Sequence, residues 1–302
     1  MPRARVGNLE LHYDRGGAGA PVIYVHGGFA DLATRLADFS TPAWTETSWE
    51  YDFARQFDFA FYERRGCYRS DSPPNGYGPL TQANDLAGLL DALGITSAHI
   101  VGSSAGGPIA TVFAASYPER VRSIVLAGTA LQVFPASDPI IQTVVHAAEL
   151  LARAGPETAF DSRPKGVEAT YASLWGHVEA SARGRLQQYR SRELELADRA
   201  RRLSRAERVH YHALELQNMI AFVESDVRPY AERVSCPTLV LHGRDDRDVP
   251  LSLGEELART IPGAALHVLE DEGHSVVHRT GAGRRATIEW IIAREAVLRG
   301  GS

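Results

Sequence analysis

The sequence predicts an α/β fold, a doubly wound and mostly parallel sheet interrupted by a helical insertion. Three observations lead there. Short apolar runs alternate with helix-like stretches in both the first and the last part of the chain. Between residues 131 and 230 the pattern turns helical and strand-poor, with Pro135, Pro139, Pro156 and Pro164 as punctuation. And one passage, Ala98 to Tyr117, reads as strand, tight turn and helix around Gly102-Ser103-Ser104-Ala105-Gly106.

Taken in order, Val6, Leu9, Leu11 and Tyr13 alternate weakly and predict a short hairpin that ends at Gly16-Gly17. Pro21 to Val25 is a buried strand feeding His26-Gly27-Gly28-Phe29. Residues 30–56 read as helix and loop carrying Trp44, Trp49 and Tyr51. Phe57 to Tyr62 is the next strand, followed by the charged turn Glu63-Arg64-Arg65-Gly66. After the breaker Pro73-Pro74-Asn75-Gly76, a helix shows Leu86, Leu89, Leu90 and Leu93 on one face and Gly94 at its end. Strands follow at 98–101 and 121–127, then the insertion, then strands at 237–242 and 265–269 and a last helix ending near Leu298. We therefore expect a core of residues 1–130 and 231–302, with residues 131–230 inserted as a helical lid.

Composition narrows the function. Of 302 residues, 44% are hydrophobic and 23% charged, close to globular averages, so global disorder is excluded. A formal net charge of −5 argues against nucleic acid or an anionic membrane as partner. Cys67 and Cys236 are too few for a disulfide framework and suit a reducing compartment. No Cys-x-x-Cys or His-Glu-x-x-His spacing points to a metal. The first residues lack the apolar core of a signal peptide, and no apolar run approaches the roughly 18 residues of a membrane span. The expectation is a soluble cytoplasmic protein acting on a small molecule without metal or organic cofactor.

In an open α/β sheet, ligands bind beyond the carboxyl ends of the strands. His26-Gly27-Gly28-Phe29 follows one such end, and Ser104 another. Gly243-Arg244-Asp245-Asp246-Arg247-Asp248 follows a third, and Glu270-Asp271-Glu272-Gly273-His274 a fourth. A serine, a carboxylate and a histidine thus share one edge, in the chain order Ser, Asp, His. In the tight Gly-x-Ser-x-Gly turn, glycines make room so that Ser104 is raised as a nucleophile; Ser103 is not presented in that way. His274 is the base, with His278 as a nearby decoy, and the acid comes from Asp245, Asp246 or Asp248.

With those residues in view, the chain resembles α/β-hydrolase-fold enzymes that carry a helical cap. The likeness rests on His26-Gly27-Gly28, the Ser104 turn, Tyr117-Pro118-Glu119-Arg120-Val121, Gly-x-x-Asp at 243–246 and Gly273-His274. It spans 20–130 and 235–298, and matches the cap in position and helical character only. The resemblance implies Asp246 as triad acid, Gly28 and Ala105 N–H as oxyanion donors with Phe29 as runner-up, and His26 as a brace for the oxyanion loop. One segment departs: where relatives often read Asp-x-Arg-Gly-x-Gly-x-Ser, this chain has Glu63 for Asp and Tyr68 for the second Gly.

The expected activity is hydrolysis of a carboxylic ester or lactone through an acyl-enzyme on Ser104. The resemblance also admits C–C bond hydrolysis, aminopeptidase, cofactor-free perhydrolase or hydroxynitrile chemistry, and a non-catalytic receptor on the same fold. Phe29, Trp44, Trp175 and Phe222 are candidates for a mainly apolar substrate pocket, with Trp49 and Tyr171 beside them. Nine arginines against four acids between 183 and 208 read as a solvated face of the lid helices, because Leu186, Leu194 and Leu203 lie among them. The residues leave substrate identity and oligomeric state open.

Overall fold

The computed structural model describes residues 2–28, 49–67, 69–132, 139–162, 204–278 and 281–300. Strands β1 (Arg3–Val6) and β2 (Leu9–Gly16) form an antiparallel hairpin, and β2 pairs antiparallel with β4 (Asp58–Tyr62). The remaining pairings are parallel and join β4 to β3 (Pro21–Val25), β5 (Ala98–Ser103), β6 (Val121–Ala127), β7 (Thr238–Gly243) and β8 (Ala265–Leu269). The sheet order is β1-β2-β4-β3-β5-β6-β7-β8, which places β5 among the inner strands. This is the doubly wound, mostly parallel sheet the sequence predicts.

The central strands are continuous apolar runs because both of their faces are covered. Ile23, Val25, Ile100, Ile124, Leu126 and Val240 point to one face, where they pack with Leu86, Leu89 and Leu90 of α2 (Pro79–Ala92) and Ile109 and Phe113 of α3 (Gly106–Ser116). Their strand neighbours Val22, Tyr24, Val101, Val125, Leu239 and Leu241 point to the other face, towards Phe53 of α1 (Trp49–Ala54) and Ile291 of α8 (Gly281–Gly300). Each fully buried aliphatic side chain contributes roughly 1.5–3 kcal/mol relative to exposure. Pro79 starts α2, since its missing N–H costs nothing in a first turn, and Gly94 at φ 68° follows its end.

Two of the helices between β6 and β7, α4 (Pro139–Asp161) and α5 (Arg205–Val223), pack against each other. Helix α4 breaks at Gly155-Pro156, where φ of Gly155 is 81°. Helix α5 starts in a capping box, with Ser204 and Glu207 satisfying each other's backbone N–H. Arg205 joins the pair through Glu157 Oε2 at 2.6 Å and Asp161 Oδ2 at 2.9 Å; of the nine arginines between 183 and 208, all but Arg205 and Arg208 lie outside the described residues. The ends of the segment between β6 and β7 meet: Val227 N–H donates to Leu131 O at 3.2 Å, and Gln132 Nε2 to Val223 O at 3.3 Å. A short helix α6 (Arg228–Ala231) then leads back to β7, which α7 (Leu251–Thr260) follows. Among the described residues, no helix is long and apolar enough to cross a membrane.

Candidate active site

The turn after β5 is built as steric necessity demands. Ser104 adopts φ 50°, a left-handed conformation that non-glycine residues rarely take, so its side chain stands clear of both strand and helix. A Cβ on Gly106 would lie 2.0 Å from Val25 O, and one on Gly102 would lie 2.7 Å from Ala110 Cβ. The end of β3 therefore leaves no room for a side chain at Gly106, and the first turns of α3 leave none at Gly102. Ser104 N–H donates to Ala127 O at 3.0 Å, while Ser104 O accepts Gly107 N–H at 2.9 Å and the Thr129 hydroxyl at 2.7 Å. The strained residue is thereby held from both sides.

The loops after β7 and β8 bring two further groups to it. His274 Nε2 lies 3.0 Å from Ser104 Oγ, and His274 Nδ1 lies 2.9 Å from Asp246 Oδ2. Asp246 is buried, and its Oδ1 accepts the Val249 N–H at 2.8 Å and the Asp248 N–H at 3.0 Å. Of the three carboxylates in that loop, Asp246 is the one bonded to the imidazole. A carboxylate only accepts, so Nδ1 carries the proton and Nε2 presents its lone pair to the serine hydroxyl. His242 of β7, which sequence reasoning missed, supports the acid: its Nε2 donates to Val249 O at 2.8 Å and lies 3.4 Å from Asp246 Oδ2.

Burial lowers the pKa of His274, but the hydrogen bond and charge of Asp246, with a further contribution from Asp248, outweigh it and leave the group raised above the usual histidine value. Burial also pushes Asp248 up, against the pull of His274. His278 behaves oppositely. Half-buried, and facing the charges of His274 and Arg284, it is desolvated and its pKa falls to about 4. It hydrogen-bonds Tyr24 and meets the Trp49 ring edge-on at 4.8 Å, so it belongs to the packing behind the site. Asp246, Asp248 and His274 also form the one group of potential metal ligands among the described residues, with donor atoms within 4.8 Å. Two of those atoms are already bonded to each other.

On the other side of Ser104 runs Gly27-Gly28. A Cβ on Gly27 would sit 2.7 Å from Ser104 Cβ, so only glycine lets this loop lie against the serine. His26 Nδ1 donates to Gly27 O at 2.6 Å and its Nε2 accepts the Arg64 N–H at 3.2 Å, which fixes the tautomer. Burial holds its pKa well below the usual value. Ala105 opens α3, where N–H groups have no intrahelical acceptor. Arg64, also missed from sequence, is buried against this loop and hydrogen-bonds Gly28 O.

Among the expected pocket residues, Phe29, Trp44 and Trp175, together with Tyr171, lie outside the described residues. Phe222 is buried in the core, 5.8 Å from the Arg64 guanidinium. Trp49 packs on Tyr24, Phe53, Phe59 and Phe61. In the departing segment, Glu63 is buried and accepts Arg69 N–H and Nε at 2.7 Å, and its carbonyl accepts Ser70 Oγ at 2.6 Å; Tyr68 lies outside the described residues. At the opposite edge of the sheet, His99 bonds Ser123 Oγ at 2.7 Å and Glu295 Oε1 at 2.9 Å. That second serine–histidine–carboxylate chain is sealed from solvent at Ser123 and ties α8 to the sheet.

A family profile described as alpha/beta hydrolase fold matches residues 20–278. The chain is 26% identical over 286 residues to the 2-hydroxy-6-oxo-6-phenylhexa-2,4-dienoate hydrolase of Comamonas testosteroni, covering 87% of this chain and 84% of that protein. It is 32% identical over 210 residues to the 2-hydroxymuconate semialdehyde hydrolase of Pseudomonas putida, covering 68% and 66%. Among solved structures, the enol-lactonase from Burkholderia xenovorans LB400 superposes with a TM-score of 0.66 at 23% identity, covering 98% of this chain and all (100%) of that one.

Proposed function

The chain belongs to the α/β-hydrolase fold family, and from that premise we propose that it hydrolyses a carboxylic ester or lactone of a small to medium, mainly apolar substrate through an acyl-enzyme on Ser104. The observation that carries this reading is the continuous chain Ser104–His274–Asp246, at 3.0 and 2.9 Å, mounted on a turn that bares the serine. Ser104 Oγ attacks the carbonyl carbon while its proton passes to His274 Nε2. The carbonyl oxygen becomes an oxyanion facing the Gly28 and Ala105 N–H groups, and Asp246 stabilises the imidazolium. Collapse expels the alkoxide, which takes the proton from His274. Water then repeats the sequence on the acyl-enzyme and releases the acid. In the same reading residues 131–230, with α4 and α5, form the cap that supplies the substrate-facing wall.

A second reading, hydrolysis of a C–C bond beside a ketone, is favoured by the curated relatives, whose names specify hydrolases of a 2-hydroxy-6-oxo-dienoate and of a hydroxymuconate semialdehyde. The same groups serve it: the carbonyl carbon gains the hydroxyl of water and the departing carbon gains the proton. A panel of p-nitrophenyl esters and lactones, run beside a 2-hydroxy-6-oxo-dienoate followed by the loss of its absorbance, separates the two. Ester or lactone turnover abolished by Ser104→Ala, with the dienoate untouched, supports the first. Dienoate turnover well above ester turnover supports the second, and a folded protein that consumes neither class contradicts both.

A further inference from the structure

We infer that Arg64 is a positioning residue for the reaction, holding the Gly27-Gly28 loop in its oxyanion-binding orientation and placing a fixed positive charge behind it. The inference rests on the serine-hydrolase reading above and extends it to a residue outside the triad and the oxyanion donors.

Arg64 is among the largest fully buried side chains, at 1% exposure. A buried cation is costly unless paired. Yet the neighbouring carboxylates are committed elsewhere: Glu63 to Arg69, and Asp85 to Arg65 at 2.5 Å. Among the described residues no carboxylate pairs with Arg64, and its Nε has no hydrogen-bond partner. What holds the guanidinium is a set of neutral acceptors. Nη1 donates to Gln82 Oε1 at 2.9 Å, and Gln82 is itself oriented by donating to Tyr77 O. Nη2 donates to Gly28 O and reaches Gly27 O at 3.5 Å, and the Phe222 ring of α5 covers the group. Such an arrangement is a poor way to stabilise a fold but a direct way to fix two carbonyls.

The consequence follows from peptide geometry. Gly27 C=O and Gly28 N–H belong to one trans peptide and point in opposite directions. His26 and Arg64 hold the oxygen on their side, so the Gly28 N–H is turned away from them, to the side of the loop that touches Ser104. Gly28 itself takes φ 76°, the left-handed conformation that returns its carbonyl to Arg64. Charge that develops on the substrate oxygen then meets an oriented N–H with an unneutralised cation behind it, itself buried beneath the Phe222 ring.

The test compares wild type with Arg64→Met and Arg64→Lys, each first checked for native circular dichroism and melting. Three quantities are read: the rate of Ser104 labelling by a fluorophosphonate, kcat and KM for the best p-nitrophenyl ester, and Ki for a trifluoromethyl ketone, whose hemiketal carries an oxyanion. Loss of one oxyanion donor costs about 10²–10³ in kcat, so disturbing its orientation in Arg64→Met is expected to cost about 10–100-fold in kcat and in Ki for the ketone, with KM nearly unchanged. Arg64→Lys, which keeps the charge and loses the fork, is expected to fall between. A folded Arg64→Met with wild-type kcat and ketone Ki, or one whose loss lies in KM alone, overturns the inference. Should Arg64→Met fail to fold, Arg64→Lys decides: weakened ketone binding supports the inference and wild-type binding overturns it. Folded wild type that takes no label at Ser104 would overturn the serine-hydrolase reading and the inference together, whereas normal wild-type labelling with indifferent variants removes the inference alone.

Discussion

Asp246 and His274 are joined Oδ2 to Nδ1 at 2.9 Å, and the carboxylate is locked in that role because its other oxygen already accepts the Val249 and Asp248 N–H groups. His242, 3.4 Å from Oδ2, closes the remaining side. The carboxylate thus has one orientation, and through it the imidazole has one tautomer. Asp246→Asn retains the size but sets an amide N–H against one of these donors, either the Val249 and Asp248 N–H groups or the His274 Nδ1–H. It is expected to lower kcat by about 10³–10⁴ with little change in KM or melting temperature, measured on whichever substrate the panel identifies. An Asn variant within about tenfold of wild type would mean that another group orients His274.

Asp248 sits close to the same imidazole and contributes to its raised pKa. The sign is set by the chemistry: His274 must be neutral to take the serine proton, so activity falls as pH drops through its pKa. With that pKa raised, the acid limb of kcat/KM lies above the ordinary histidine value. Asp248→Asn removes one raising contribution and is expected to move the limb to lower pH. A pH–rate profile checks it, and an unmoved or upward-shifted limb contradicts it.

Gly106 is a steric requirement, with the Val25 carbonyl oxygen 2.0 Å from where its Cβ would stand. Both partners are backbone, so neither can turn aside. Gly106→Ala is expected to destabilise by about 2–3 kcal/mol or more and to reduce soluble yield, as thermal or denaturant unfolding will show. A variant of unchanged stability would mean that β3 and the turn do not approach as described.

These cases show what a sequence can and cannot reveal. The Ser104 turn was legible because sterics demand glycine at fixed spacings, and that demand is written locally. Asp246 and His274 were legible because each follows a strand that must end at the same sheet edge. Arg64 was not, since its burial depends on Gln82 and Phe222, which lie 18 and 158 positions away. His242 reads as one more residue of a buried strand until the turn folds Val249 and Asp246 back on it. Aromatic residues gave no guide to their neighbours: Trp49 and Phe222 serve the core, as the packing around Tyr24 and Arg64 shows.

His278 gives a prediction about stability. Its pKa, about 4 in the native protein against 6.5 for the free group, means that the native state refuses a proton the unfolded chain accepts. Stability is therefore lost as pH falls from about 6.5 to about 4, by on the order of 1–3 kcal/mol, and no more is lost below that. His278→Gln preserves an acceptor for the Tyr24 hydroxyl and removes the titration. Its melting temperature is expected to fall less steeply than that of wild type over this window; parallel curves would assign the loss to other groups.

The most direct test of the central claim is intact-mass labelling with a fluorophosphonate on folded wild type and folded Ser104→Ala. The account predicts a single adduct on wild type, at a rate that declines as His274 protonates, and none on the variant. An unlabelled wild type, or an adduct that persists when Ser104 is gone, would contradict it.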